Sequence, residues 1–226
     1  MATYKEIFGT NIEVLASDPA NPVEGQVWYN STDNVVKGEV FQAAAWATGG
    51  NLNTAVTRGY GFGQKTSALS FGGFSPPDTN QTEFWNGTSW AIVNNLNTAR
   101  RQLGGSGTSA SALAFGGTPP ELANTETWNG SIWAETNDLN TARRKLGSSG
   151  ADNTSALAFG GKSPAITGAT EEWNANIAVG AWITGGSLNT ARDDIAGTGI
   201  QTAALGFGGN TGAGVANTES YNGTAW

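Results

Sequence analysis

ALAFGGTPPELANTETWNGSIW, Ala112–Trp133, is the stretch whose reading decides the fold. In its first part Leu113 and Phe115 fall on one side of an extended chain and Ala112 and Ala114 on the other. The pair Gly116-Gly117 then ends the strand. A second strand, Asn124–Trp128, runs into Asn129-Gly130, and a third begins at Trp133. Asn-Gly is the dipeptide of tight hairpin turns, because it tolerates positive φ at both central positions. The stretch therefore predicts consecutive antiparallel strands with one large-residue face and one small-residue face.

The pattern recurs along the chain. LNTA begins at Leu52, Leu96, Leu139 and Leu188, spaced 44, 43 and 49 residues. FGG begins at Phe71, Phe115, Phe159 and Phe207, spaced 44, 44 and 48. An aromatic follows at Trp85, Trp128, Trp173 and Tyr221, and Trp46, Trp90, Trp133, Trp182 and Trp226 form a further series. Each unit reads as four short strands, a to d, with a Gly-rich strand a such as RQLGGSGT. In the third unit NANIAVGAW lengthens the c–d loop. A unit of this size with four antiparallel strands has the dimensions of a β-propeller blade. Blades can nest large face on small face, and glycines suit the crowded innermost strand.

Composition agrees. The 226 residues include 33 Gly and 9 Trp, and only 13% are charged. Gly is about twice its usual share. The net charge of −7 disfavours a nucleic-acid partner. No apolar run approaches the length of a membrane span, and MATYKEIFGTNIEVL lacks the pattern of a secretory signal. The chain has no Cys and no His. That removes disulfides, thiolate or imidazole metal sites, and nucleophile–His catalysis.

The glycine pair closing strand b, the aromatic 11 or 12 residues later, the Trp soon after and the LNTAR segment together resemble kelch repeats over roughly Val40–Trp226. The resemblance implies an all-β, kelch-like β-propeller. Four blades of four antiparallel strands are expected, with repeats near 52–90, 96–133, 139–182 and 188–226. Strand d of unit four is only begun at Trp226, and VFQAAAWATGG, Val40–Gly50, reads as an orphan strand d. We expect residues 40–50 to close the ring by completing unit four, which removes the open edges. The rival is an array that continues in a longer chain or closes through other subunits.

Residues 1–39 lie outside the repeat and form an N-terminal arm. SDPANPVEG is a turn-rich connector, and QVWYN and NVVKGEV alternate as two strands joined by STDN. A lone hairpin is marginal in water, so Trp28 and Tyr29 are expected at an anchoring or oligomer interface. NPVEGQVWYNSTDNVVKG resembles stretches in structural proteins of tailed bacteriophages, marine and cyanobacterial ones especially. That resemblance implies a component at the phage particle surface, contacting other virion proteins through the arm.

The candidate site residues recur with the unit. Arg100, Arg143 and Arg192 share one position, where unit one has Val56, and Glu83, Glu126, Glu171 and Glu219 share another. They read either as ties between blades or as a ring of sugar or carboxylate sites. Asn97, Asn140 and Asn189, like Asn53, sit in the d–a connection, where they cap the turn or meet glycan hydroxyls. The b–c loops FSPPDTNQ, TPPELAN, KSPAITGA and NTGAGVAN vary most and share a rim with the d–a connections, which makes that rim the place for a partner. The repeat tryptophans read as inter-blade packing rather than sugar platforms. Asp193-Asp194 supplies too few ligands for calcium. NGT and NGS match glycosylation acceptors but are explained as turns.

No catalytic residue, metal ligand or cofactor is expected. The favoured reading is a non-enzymatic virion protein, a fibre, spike or capsid decoration, homo-oligomeric and displaying its propeller to host-surface glycan or protein. The alternative is a free lectin-like or interaction propeller of cellular origin. A carboxylate-pair glycosidase is the third class, for which no convincing pair of acids stands out.

Overall fold

The computed structural model describes residues 12–22, 25–39, 46–176 and 180–226. Among them there is no helix. The chain divides into two compact units, Met1–Thr48 and Gly49–Trp226.

In the first unit, β1 (Glu13–Leu15), β2 (Val27–Asn30) and β3 (Val35–Gly38) form one sheet. The expected hairpin is β2–β3, with Trp28 opposite Lys37. The sequence reading missed β1, which adds a third strand parallel to β2. Asp18, in the connector, ties the sheet together. Its Oδ1 accepts from Trp28 Nε1 at 3.0 Å and Asn30 Nδ2 at 2.8 Å, and its Oδ2 from Lys37 Nζ at 2.8 Å. These bonds, Lys37 foremost, hold the Asp18 carboxyl down at about 2.

The second unit is a series of antiparallel sheets of three or four strands, propeller-like blades numbered in chain order. Blade 1 is β4 (Tyr60–Gln64), β5 (Ser67–Phe71), β6 (Thr82–Trp85) and β7 (Trp90–Val93). Blade 2 is β8 (Gly104–Thr108), β9 (Ser111–Phe115), β10 (Thr125–Trp128) and β11 (Trp133–Thr136). Blade 3 holds β12 (Gly147–Asp152) and β13 (Ser155–Phe159), then a short loop ribbon of β14 (Lys162–Ser163) and β15 (Ala165–Ile166). Its outer strands are β16 (Thr170–Asn174) and β17 (Ala181–Gly185). Blade 4 has three strands, β18 (Ala196–Ile200), β19 (Ala203–Phe207) and β20 (Thr218–Tyr221). The innermost strands lie side by side, β4 against β8, β8 against β12 and β12 against β18.

The alternation read in SALAF sets how the blades stack. Ala112 and Ala114 pack with Leu69 and Phe71 of blade 1, while Leu113 and Phe115 pack with Ala156 and Ala158 of blade 3. Each joint also takes the strand-d tryptophan of the following blade. Trp133 meets Phe71, Trp182 meets Phe115 and Trp226 meets Phe159, with ring centroids 5.1, 4.8 and 4.6 Å apart. Each indole N–H is satisfied across the joint by a strand-c threonine, Thr82, Thr125 and Thr170 in turn, at 2.9–3.0 Å. A small inner-strand residue makes the fit possible, Gly105, Ser148 and Gly197 in blades 2, 3 and 4. A Cβ at Gly105 would stand 2.8 Å from Phe71 Cζ, and one at Gly197 2.5 Å from Phe159 Cζ.

The Asn-Gly turns differ from the two-residue hairpin expected. Four residues, Asn86–Ser89 in blade 1, separate the paired Trp85 and Trp90. Only the glycine of each pair has positive φ. The asparagine works through its side chain, Asn86 Oδ1 accepting from the N–H of Thr88 and Ser89 at 2.9 Å, and Asn129 and Asn222 do the same.

Ring closure is the role expected of residues 40–50. Val40–Ala45 lie outside the described residues, and Trp46–Gly50 carry no strand. Trp226 itself fills the strand-d tryptophan position of blade 4, against Phe159 and Tyr221.

Candidate functional site: the loop rim and the axial mouth

The b–c loops and d–a connections meet at one rim of the array. Leu96, Leu139 and Leu188 donate their N–H to Asn80, Ala123 and Gly168, each at the end of the preceding b–c loop. The arginine position knits blades through its backbone. The carbonyls of Arg100, Arg143 and Arg192 accept from the second glycine of the previous blade, Gly73, Gly117 and Gly161, at 2.8–2.9 Å.

The arginine side chains turn the other way, into their own blade. Arg100, Arg143 and Arg192 are fully buried. Their guanidinium groups lie 3.2, 3.0 and 2.8 Å from Glu126, Glu171 and Glu219 and also donate to the carbonyls of Asn124, Ala169 and Asn217. Burial draws the Arg100 and Arg143 guanidinium pKa downward, and Glu126 and Glu171 oppose that shift. Asn97, Asn140 and Asn189 finish the same cluster. Each donates backbone N–H and Nδ2 to the other oxygen of that glutamate at 2.6–2.9 Å, and Nδ2 also reaches the carbonyl of Trp133, Trp182 or Trp226. The ties thus lie within one blade, joining its entry segment to its strands, rather than between blades.

Blade 1 solves the same problem differently. Val56 replaces the arginine, and Gln81 Nε2 donates to Glu83 Oε1 at 3.0 Å, with Asn53 on the second oxygen.

Two of the variable b–c loops are pinned from the next blade. Arg101 pairs with Asp78 at 2.5 Å and lies over the Phe74 ring, and Arg144 pairs with Glu121 at 3.2 Å. These two b–c loops are therefore braced.

The sequence reading missed the axial mouth. Arg58, Gln102, Lys145 and Asp194 stand two residues beyond the arginine position, at the start of strand a, and all four have positive φ. They are linked in order, Gln102 N to Arg58 O, Lys145 N to Gln102 O and Asp194 N to Lys145 O, at 2.8–2.9 Å. Together they line a cavity of about 420 Å³ with Tyr60 and the aliphatic side chains of Leu103, Leu146 and Ile195. Lys145 is paired with Asp194 at 2.6 Å, and Arg58 is exposed, with no ion-pair partner among the described residues. A residue outside glycine with positive φ is uncommon and worth a functional question. A polar residue at one fixed offset in every unit is the only trace of this mouth in the sequence. Among the described residues, no group of three or more acids is placed to hold a metal ion.

In the first unit Trp28 is 4% exposed, on the face that carries Asp18. It is a core side chain there, which corrects its reading as an interface residue. Tyr29 lies on the opposite face, in register with Val14 and Val36, both exposed. The chain matches no protein-family model and no curated protein.

Proposed function

We propose that the chain is a non-enzymatic, kelch-like propeller protein of a phage particle, four blades displayed for recognition of host-surface glycan or protein. The observation that carries the recognition half is the division of labour at the rim. The recurring Arg, Glu and Asn groups are consumed inside each blade, so they act as architecture. What differs from unit to unit is the b–c loops and the residues of the axial mouth, all held on one braced rim. Mixed donors and acceptors around a shallow polar cavity suit a hydroxyl-rich ligand. The lack of Cys and His across the sequence supports a binding role over nucleophilic catalysis. The virion half rests on the phage-like stretch Asn21–Gly38, whose strands pair as a hairpin.

Mass spectrometry of purified, gradient-banded particles tests the virion assignment, and absence of the chain from intact particles ends it. A glycan array tests recognition. Arg58→Ala with Gln102→Ala is expected to reduce binding at least tenfold while the far-ultraviolet spectrum and melting temperature stay unchanged. Glycan binding without particle association supports the free lectin-like alternative instead.

A further inference from the structure

The three internal joints share one construction, and the chain carries the two unmatched halves of a fourth. Blade 4 presents the large face. Phe207 is 41% and Leu205 43% exposed, whereas Phe71, Phe115 and Phe159 are at most 1%. Thr218, opposite Phe207 in register, is exposed, and its counterparts Thr82, Thr125 and Thr170 are sealed beneath a tryptophan. Blade 1 presents the small face. Ala68 and Ser70 are only half-buried there, and among the described residues the indole N–H of Trp90 has no acceptor. That face of blade 1 holds an open groove of about 390 Å³, lined by Leu52, Gly61, Ala68, Ser70 and Trp90 among others. In blade 2 the same positions are Leu96, Gly105, Ala112, Ala114 and Trp133, and they receive Leu69 and Phe71.

The backbone is open at the same two places. Among the described residues, Arg58 N and Asp194 O end the chain of axial bonds, and Gly209 N lacks the carbonyl that Gly73, Gly117 and Gly161 each find on the following blade. Both halves stand open in one molecule, so blade 4 does not cover its own blade 1.

We propose that copies of this chain associate head to tail, blade 4 of one seating Leu205 and Phe207 in the blade 1 groove of the next. Trp90 of the second copy then stacks on Phe207 and donates its indole N–H to Thr218 Oγ1. The occupant is specified by the three joints already made: a small-faced strand b, a glycine or serine on the inner strand and a strand-d tryptophan in fixed register. This chain displays that combination, uncovered, on blade 1. Such a contact is heterologous and builds rings or filaments rather than twofold dimers. Gly59 replaces the leucine or isoleucine that fills the other joints at Leu103, Leu146 and Ile195. The intermolecular joint therefore buries one aliphatic side chain fewer and is expected to form reversibly with concentration.

Light scattering after size exclusion tests this on the full chain. The wild type is expected to rise above the monomer mass as concentration increases. Phe207→Asp removes the large half and Trp90→Ala the small half, so each alone is expected to stay monomeric. Mixing the two variants joins the intact Trp90 of one to the intact Phe207 of the other and is expected to give a 1:1 dimer that grows no further. A wild type that is monomeric up to high micromolar concentration overturns the proposal. So does a mixture that remains monomeric while each variant keeps the native far-ultraviolet spectrum. A monomeric wild type whose melting temperature falls on Phe207→Asp identifies closure within one chain instead.

Discussion

At the scale of single residues, the clearest test is the ion pair inside each blade. Arg143 and Glu171 are both buried, and the glutamate's second oxygen already serves Asn140. Arg143→Met removes the cation and leaves a buried carboxylate with no charge partner. Loss of one member of such a pair costs about 3–5 kcal/mol, to be read from urea unfolding midpoints. Blade 1 supplies the remedy, because there Val56 and Gln81 replace the arginine. Ala169 occupies the place of Gln81 in blade 3. Arg143→Val with Ala169→Gln is therefore expected to lose less than Arg143→Val alone. No gain from the added glutamine would refute the equivalence of the two clusters.

Asp18 gives the pH test. Its carboxyl sits at about 2 in the fold against 3.8 unperturbed, because Lys37, Asn30 and Trp28 bond its charged form. A depressed carboxyl pKa contributes stability above the unfolded value and loses it as pH falls through the folded one. The first unit is accordingly expected to loosen between about pH 4 and pH 2, followed through the indole N–H resonance of Trp28. Asp18→Asn should displace that resonance at neutral pH and remove its acid transition.

At the scale of strands and turns, burial rather than residue type decides the effect of a substitution. Phe115 and Phe207 hold one position of the repeat, but Phe115 is enclosed by blade 3 and Phe207 is 41% exposed. Phe115→Ala is expected to destabilise by about 3–5 kcal/mol. Phe207→Ala, measured at a concentration where the chain is monomeric, should cost under about 1 kcal/mol. Comparable losses at both sites would mean that Phe207 is covered. The same contrast shows what was legible in the sequence. The alternation in SALAF, the paired tryptophans and the repeat spacing predict the strands, their order and the large-on-small stacking, because these depend on local period and on residue volume. The direction of the Arg100 side chain was not legible. A recurring Arg and a recurring Glu fit a tie within a blade and a tie between blades equally well, and only the register of strands b and c chooses. Trp28 misled for a related reason: its partner Asp18 lies ten residues back, in a turn with no periodic signal. The axial mouth was hidden because Arg58, Gln102, Lys145 and Asp194 have little chemistry in common. What unites them is a positive φ and a chain of backbone bonds.

At the scale of the whole molecule, the repeat unit behaves as a one-dimensional array whose stability is a sum over blades and joints. Blades 2 and 3 have a neighbour on both faces, and blades 1 and 4 on one. Blade 4 also lacks a fourth strand among the described residues. Opening should then begin at the end blades, because local unfolding follows the density of buried apolar contacts. Hydrogen exchange read by mass spectrometry is expected to rank β9 and β13 as most protected and β19 and β20 as least, with β5 between. A head-to-tail joint adds a second signature. As concentration rises, β5, β19 and β20 should gain protection together, because they form the two sides of the new interface, while β9 and β13 stay as they were. Phe207→Asp should abolish that gain without altering the ranking at low concentration. Equal protection of all four blades, independent of concentration, would instead describe a ring closed within one chain. In that ring Phe207 and Trp90 could not both be open, and the exposed faces on which the association is argued would not exist in solution.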